Sequence, residues 1–163
     1  MIPEPGAAGP PAPENEWLAP WIRLLDASLH RLCGRHLPGG ELPDAEFARQ
    51  VWHAPWVLLS HDAGPEPRFN YANRTALQLW EAGWGELVGL PSRLSADPEQ
   101  QAERARLLER VGRQGWIDDY HGVRISRSGR RFEIRDVLVW NLADGQGRPC
   151  GQAAMFSRWR WLE

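Results

Sequence analysis

A chain of 163 residues, 42% of them hydrophobic, suits one domain with its own core and a short appendage. Its 19 basic and 21 acidic residues give a formal charge of −2 with neither sign concentrated, which argues against a nucleic-acid surface. Two distant cysteines, Cys33 and Cys150, argue against a disulfide framework and fit a reducing compartment.

The chain opens on MIPEPGAAGPPAPENE, which has neither the basic nor the apolar region of a signal peptide. Pro, Ala and Gly dominate it, so residues 1–16 are expected to form a disordered tail. No window approaches a membrane span, and a soluble, cytoplasmic protein is expected. Trp21, Leu24, Leu25, Ser28, Leu29 and Leu32 then fall at helical spacing. They predict a helix over 17–33 that stops at Gly34. Asp44 is expected to cap a second short helix, with Phe47 and Val51 one turn apart. Residues 17–54 thus make an N-terminal helical extension, and 55–163 the core.

From Pro55 the period changes. WVLLS and RFNYA read as strands, with Phe69 and Tyr71 on one face. Asn73 starts a helix, because its side chain can accept from the free N–H groups of the first turn. That helix carries Ala76, Leu77 and Trp80 and ends before Gly83. A connector with short helical turns follows. Asp97-Pro98 starts a longer helix, with a buried stripe of Leu107, Leu108 and Val111, stopped by Gly115. The remainder predicts three strands joined by the hairpin turns RSGR and ADGQGRP. Helices segregated from an antiparallel sheet define an α+β fold.

Specific stretches add a resemblance. YANRTALQLW from 71, ELVGLPSRL from 86, SRSGRRFEI from 126 and VWNLADGQGRPCGQAAMF from 139 resemble the PAS superfamily of sensor domains. The fuller pattern, over residues 20–160, is similar to MEKHLA-type PAS-like domains. These occur as stand-alone bacterial proteins and at the C-termini of certain plant homeodomain–leucine-zipper regulators. The MEKHLA hexapeptide, the homeodomain and the zipper are absent from this sequence, so DNA binding does not carry over. The resemblance implies a five-stranded antiparallel sheet flanked by helices around a ligand cavity or packed core. It also implies sensing or dimerisation rather than catalysis.

The resemblance frames the cofactor question. Light-sensing members carry a reactive cysteine in this connector, where Ser92 stands here, and serine forms no thiol adduct. The flavin-edge asparagines would fall near Arg124 and Ile134. Of the flavin pattern, Arg93 and Gly89 survive. Adduct-forming flavin photochemistry is therefore not expected, while non-covalent flavin or haem stays open. Haem needs a histidine beside the cavity; residues 98–114 carry none, and His121 reads as a satisfied or solvent-edge histidine rather than an axial ligand.

Strand alternation gives one sharper expectation. Phe132, Ile134, Asp136, Leu138 and Trp140 share a face by the period of two, which would aim Asp136 at the core or cavity with His121 or Arg124 as partner. The alternatives are a bulge that turns Asp136 outward or a purely structural bond to a loop. Candidate cavity walls are Leu79, Trp80, Leu94, Leu108, Val111, Ile134 and Leu138, with Arg93, His121 or Asp136 as the polar contact. The ligand would be small and apolar or aromatic, and the signal would pass to a protein partner or within a homodimer. The competing reading is an interaction module with a filled core, dimerising through helix 17–33 and the Trp159/Trp161 edge.

Catalytic patterns are weak. Ser60-His61-Asp62 are chain neighbours and do not converge as a triad does. His30, Cys33 and His36 lack a fourth ligand. Asp118 and Asp119 alternate faces. No phosphate loop is present, and the chain is not expected to be an enzyme.

Overall fold

The computed structural model describes residues 5–162. The first four residues of the expected tail lie outside the described residues. Helices α1 (Ala19–Cys33) and α2 (Asp44–His53) precede strands β1 (Val57–His61) and β2 (Phe69–Ala72). Three helices follow: α3 (Arg74–Leu79), α4 (Trp84–Leu87) and α5 (Gln101–Gln114). Strands β3 (Trp116–Ile125), β4 (Arg131–Ala143), β5 (Pro149–Phe156) and β6 (Arg158–Trp161) complete the fold. The sheet is antiparallel in the order β2-β1-β5-β4-β3. The expected last strand divides at Ser157: β5 pairs with β1 and β4, whereas β6 pairs with the first part of β4 alone.

The start and stop signals act as the local chemistry dictates. Gly34 and Gly115, at φ 76° and 89°, supply the positive φ that closes α1 and α5. Asp97 accepts from the Glu99 N–H at 3.0 Å and opens the turn leading into α5. Asn73 does more than cap. Its Oδ1 accepts from Ala76 N at 3.1 Å and from Leu58 N at 3.2 Å. Its Nδ2 donates to the carbonyls of Val51 (3.0 Å) and Trp56 (2.8 Å). One fully buried amide thus joins α2, β1 and α3.

The sheet separates two apolar clusters. One face carries Leu58, Tyr71, Leu138, Trp140, Leu142 and Ala153 beneath α1 and α2. The other carries Val57, Leu59, Phe132, Ile134, Val137, Val139 and Phe156 beneath α3 and α5. Helix α1 buries Trp21, Ile22, Leu24, Leu25 and Leu29 against the sheet, each contributing roughly 2 kcal/mol by transfer. Buried polar contacts fix its position. Trp140 Nε1 donates to the Leu25 carbonyl and Trp21 Nε1 to Ser60 Oγ, both at 3.0 Å.

Two expectations change. The described part of the tail, residues 5–16, is folded into 3-10 turns, Pro5–Ala8 and the start of Pro13–Leu18. Pro5 and Pro11 are buried, and the first turn packs against β2. Asn15 Nδ2 donates to the Pro10 carbonyl at 3.0 Å, and Asn15 Oδ1 accepts from Ala12 N at 2.9 Å. Prolines with preset φ lose little entropy on ordering, and composition alone does not register that.

The second change is in β4. Asp136 has φ 54°, and the register runs Tyr120↔Val137, then Gly122↔Ile134. Two residues of β4 therefore face one of β3, which is a bulge. The bulge reverses the alternation. Phe132 and Ile134 stay on the α5 face with Val137 and Val139, while Leu138 and Trp140 go to the α1 face. Asp136 points to solvent, where it accepts from Arg158 Nη1 at 2.7 Å.

Candidate functional site

A cavity of about 60 Å³ lies between the sheet and α5. Strands β1 and β2 contribute Leu59, His61 and Phe69; β3 contributes Tyr120 and Arg124; β4 contributes Ile134, Val137 and Val139. Helix α5 adds Arg104, Leu107 and Leu108, and Trp80, Ser95 and Phe156 complete much of the wall. His61, Leu108 and Gln152 also line an outer groove of about 460 Å³, so these three side chains stand between cavity and solvent.

The walls are mostly apolar, yet two arginines face them. Arg104 and Arg124 are 7% and 6% exposed. Arg104 Nη2 donates to Ser92 Oγ at 2.5 Å. Arg124 Nη1 donates to the Val123 carbonyl at 3.1 Å, and its guanidinium lies 5.4 Å from the Tyr120 ring centroid. Among the described residues neither arginine forms an ion pair with a carboxylate. Burial and, after it, the Arg124 charge push the Arg104 guanidinium down to about 10, with Tyr120 acting against both. It remains a cation at neutral pH. Burial also lowers His61, against the bond from its own ring nitrogen to the Asp62 carbonyl at 2.8 Å. The Trp80 Nε1–H is buried without a partner among the described residues.

The structure brings together only part of the expected set. Trp80, Leu108 and Ile134 line the cavity. Leu79 and Val111 are buried in the same cluster but do not reach it. Arg93 is turned to solvent and pairs with Glu66 at 3.2 Å. Leu94 is 43% exposed and lines a separate surface groove. The connector's 3-10 turn, Ser92–Ser95, presents Ser92 and Ser95 inward and so rotates both of these residues out. His121 is exposed because it alternates with Tyr120 and Gly122. Asp136 and Leu138 leave the set through the bulge.

Arg104 was absent from the expected set, although its signal was present. It stands three, four and seven residues before Leu107, Leu108 and Val111, at a core position of the helical stripe. Gly122 is a second such signal. A Cβ there would collide with the Tyr120 hydroxyl and come within 3.3 Å of Arg124 Nη1, so its missing side chain makes room for both. Trp159 and Trp161, read as an aromatic edge, pack edge-on against Phe156 and Phe132, and Arg130 stacks over Trp161 at 3.9 Å. Among the described residues no group of three His, Cys, Asp or Glu is placed to hold a metal. No described helix is long and apolar enough to cross a membrane.

This architecture is that of the PAS-like sensor folds. The PAS domain of a Colwellia psychrerythraea protein superposes with TM-score 0.60 at 12% identity, covering 72% of this chain and 94% of that one. A light-oxygen-voltage domain studied with a flavin analogue gives 0.54 at 17% identity, covering 72% and 85%. An RNA-binding light-oxygen-voltage receptor gives 0.60 at 18%, covering 74% and 35%. The chain belongs to the MEKHLA domain family, whose model matches residues 19–161. It is 24% identical over 162 residues to the homeobox-leucine zipper protein HOX33 of Oryza sativa subsp. indica, covering 98% of this chain and 19% of that protein. It is 25% identical over 115 residues to HOX29 of the same subspecies, covering 70% and 13%. The chain thus spans at most about a fifth of these curated relatives.

The light-oxygen-voltage neighbours raise flavin as a test of fit. Ligand pockets for molecules of that class run to roughly 300–1,000 Å³, against about 60 Å³ here. Arg124 and Ile134 stand in the cavity wall where the resemblance would place ring-edge amides. These residues do not fit a flavin.

Proposed function

We propose that this PAS-like domain senses a small molecule, sequestering it between the sheet and α5 and passing the change to a protein partner. The observation that carries this reading is a void with unpaired polar groups inside an otherwise packed core. Interiors are normally close-packed, and an empty space there forfeits contacts. The shared wall of His61, Leu108 and Gln152 supplies an entry path from the outer groove. Sensing rather than catalysis fits a site without a nucleophile–base pair. The dimer alternative is weakened at α1, whose apolar face is already spent on the sheet.

The test is occupancy. Native mass spectrometry and an absorption spectrum of the purified chain should reveal a retained small molecule. Crystals pressurised with xenon or soaked with small fragments should show density bounded by Ile134, Leu107 and Arg104. A chain that retains nothing and admits neither xenon nor any fragment there would overturn the reading.

A further inference from the structure

We propose that the cavity is an anion site, and that its ligand is a short-chain organic carboxylate held between Arg104 and Arg124. The inference rests on the sensing function proposed above and specifies the chemistry of its ligand.

Among the described residues the two arginines leave most of their donors unused. A guanidinium offers five N–H donors. Arg104 places one bond on Ser92 and Arg124 one on the adjacent carbonyl. Both are more than nine-tenths buried, and no described carboxylate pairs with either. Buried charges in proteins are paired or coordinate something, because an uncompensated one carries a large desolvation penalty. Here there are two of like sign on one small cavity, so each also raises the energy of the other. Hydrophobic side chains of similar size would remove both penalties. The arrangement makes physical sense when an anion sits between them.

Of the remaining wall groups, one donor and one acceptor are buried without a partner among the described residues, the Trp80 Nε1–H and Gln152 Oε1. The Tyr120 ring lies against the Arg124 guanidinium. Glycine at position 122 keeps the space by the Tyr120 hydroxyl and Arg124 Nη1 open. The cavity wall therefore combines donors with hydrocarbon. Leu59, Phe69, Leu107 and Ile134 supply the apolar wall, which selects against a phosphate ion that wants donors on every side. A volume of about 60 Å³ is several times the roughly 10–15 Å³ that one water needs, so it admits a molecule of a few heavy atoms, the scale of acetate or propionate. Longer chains would need the Leu108 wall to move toward the outer groove.

Titration of the ¹⁵N-labelled full chain in Tris-chloride buffer tests this. Acetate, propionate and butyrate are compared with their amides and with inorganic phosphate. The carboxylates should shift the side-chain Nε–H signals of Arg104 and Arg124 and raise Tm, and bind at least tenfold more tightly than the amides. Arg104→Met and Arg124→Met should each abolish that preference. Each should also keep or raise the Tm of the ligand-free chain, since a like charge is removed. A purely structural arginine predicts the reverse, a lowered Tm. Amides binding as well as acids, with both variants unaffected, would overturn the anion site while leaving the sensing cavity intact. Phosphate binding in preference to carboxylates would overturn the choice of ligand. No saturable binding of acids or amides, with no xenon in the cavity, would overturn both proposals.

Discussion

Removing the Asn73 side chain should be among the most damaging single changes outside the hydrophobic core. Its amide satisfies Leu58 N, Ala76 N and the carbonyls of Val51 and Trp56 in a fully buried position. In Asn73→Ala the Val51 carbonyl still accepts from Ala54 N at 3.3 Å. The other three groups lose their partner. Leu58 N and the Trp56 carbonyl as buried orphans cost about 1–3 kcal/mol each, and the lost cap at Ala76 N about 1 kcal/mol, with relaxation recovering some of the sum. A net loss of about 3–5 kcal/mol is expected. At roughly 2–4 °C per kcal/mol for a chain of this size, Tm should fall by about 6–20 °C. Thermal and urea unfolding, followed by far-UV circular dichroism and tryptophan fluorescence, measure it. Asn73→Asp separates the contributions: it keeps the two acceptors but sets carboxylate lone pairs against the Val51 and Trp56 carbonyls. A fully buried charge is added as well, so it should lose at least as much stability as Asn73→Ala at neutral pH. An Asn73→Ala protein within 1 kcal/mol of wild type would refute the reasoning, since the amide would then be joining nothing.

Gly151→Ala should fail differently: at φ 144° a Cβ would collide with the His61 carbonyl, so β1 and β5 must separate. A loss above about 3 kcal/mol is expected, and a variant melting within 2 °C of wild type would contradict it. His61 bears on pH: its folded pKa is depressed by burial, so below about 6.5 the unfolded chain binds the proton first. The stability it allows is present above that pH and falls as pH drops toward the folded pKa, by at most about 1.4 kcal/mol per pH unit. His61→Gln should lack this component, so the stability of wild type relative to the variant should decline between pH 7.5 and 5; a constant difference counts against it. Asp136→Asn should change stability by no more than about 1 kcal/mol and leave carboxylate binding unaltered, because the residue sits at the bulge in an exposed ion pair with Arg158. A large effect on binding would mean that Asp136 acts on the cavity after all.

Local chemistry was legible in the residues themselves. Helix boundaries at Gly34, Asn73, Asp97 and Gly115 follow from backbone preferences that a few neighbours settle. The hairpin order and the apolar stripes gave an antiparallel sheet with segregated helices, and the motifs over residues 20–160 gave the PAS-like class. Within the site, Leu108 and Ile134 followed from periodicity because each lies in a regular element, and Trp80 from its place at the C-terminal end of α3.

Tertiary structure decided what periodicity cannot carry past an irregularity. One αL residue, Asp136, reversed the faces of β4 and exchanged Leu138 for Val137 and Val139 on the cavity side. A single 3-10 turn moved Arg93 and Leu94 outward and Ser92 and Ser95 inward. The pairing of Arg104 with Arg124 depends on α5 crossing β3, a contact between residues twenty positions apart in the chain. Composition read residues 1–16 as unable to order, whereas the fold buries Pro5 and Pro11 of that stretch. Sequence determines the conformations that neighbouring residues favour. Which faces meet, and which charges are left without a partner between them, is set only when the chain closes on itself.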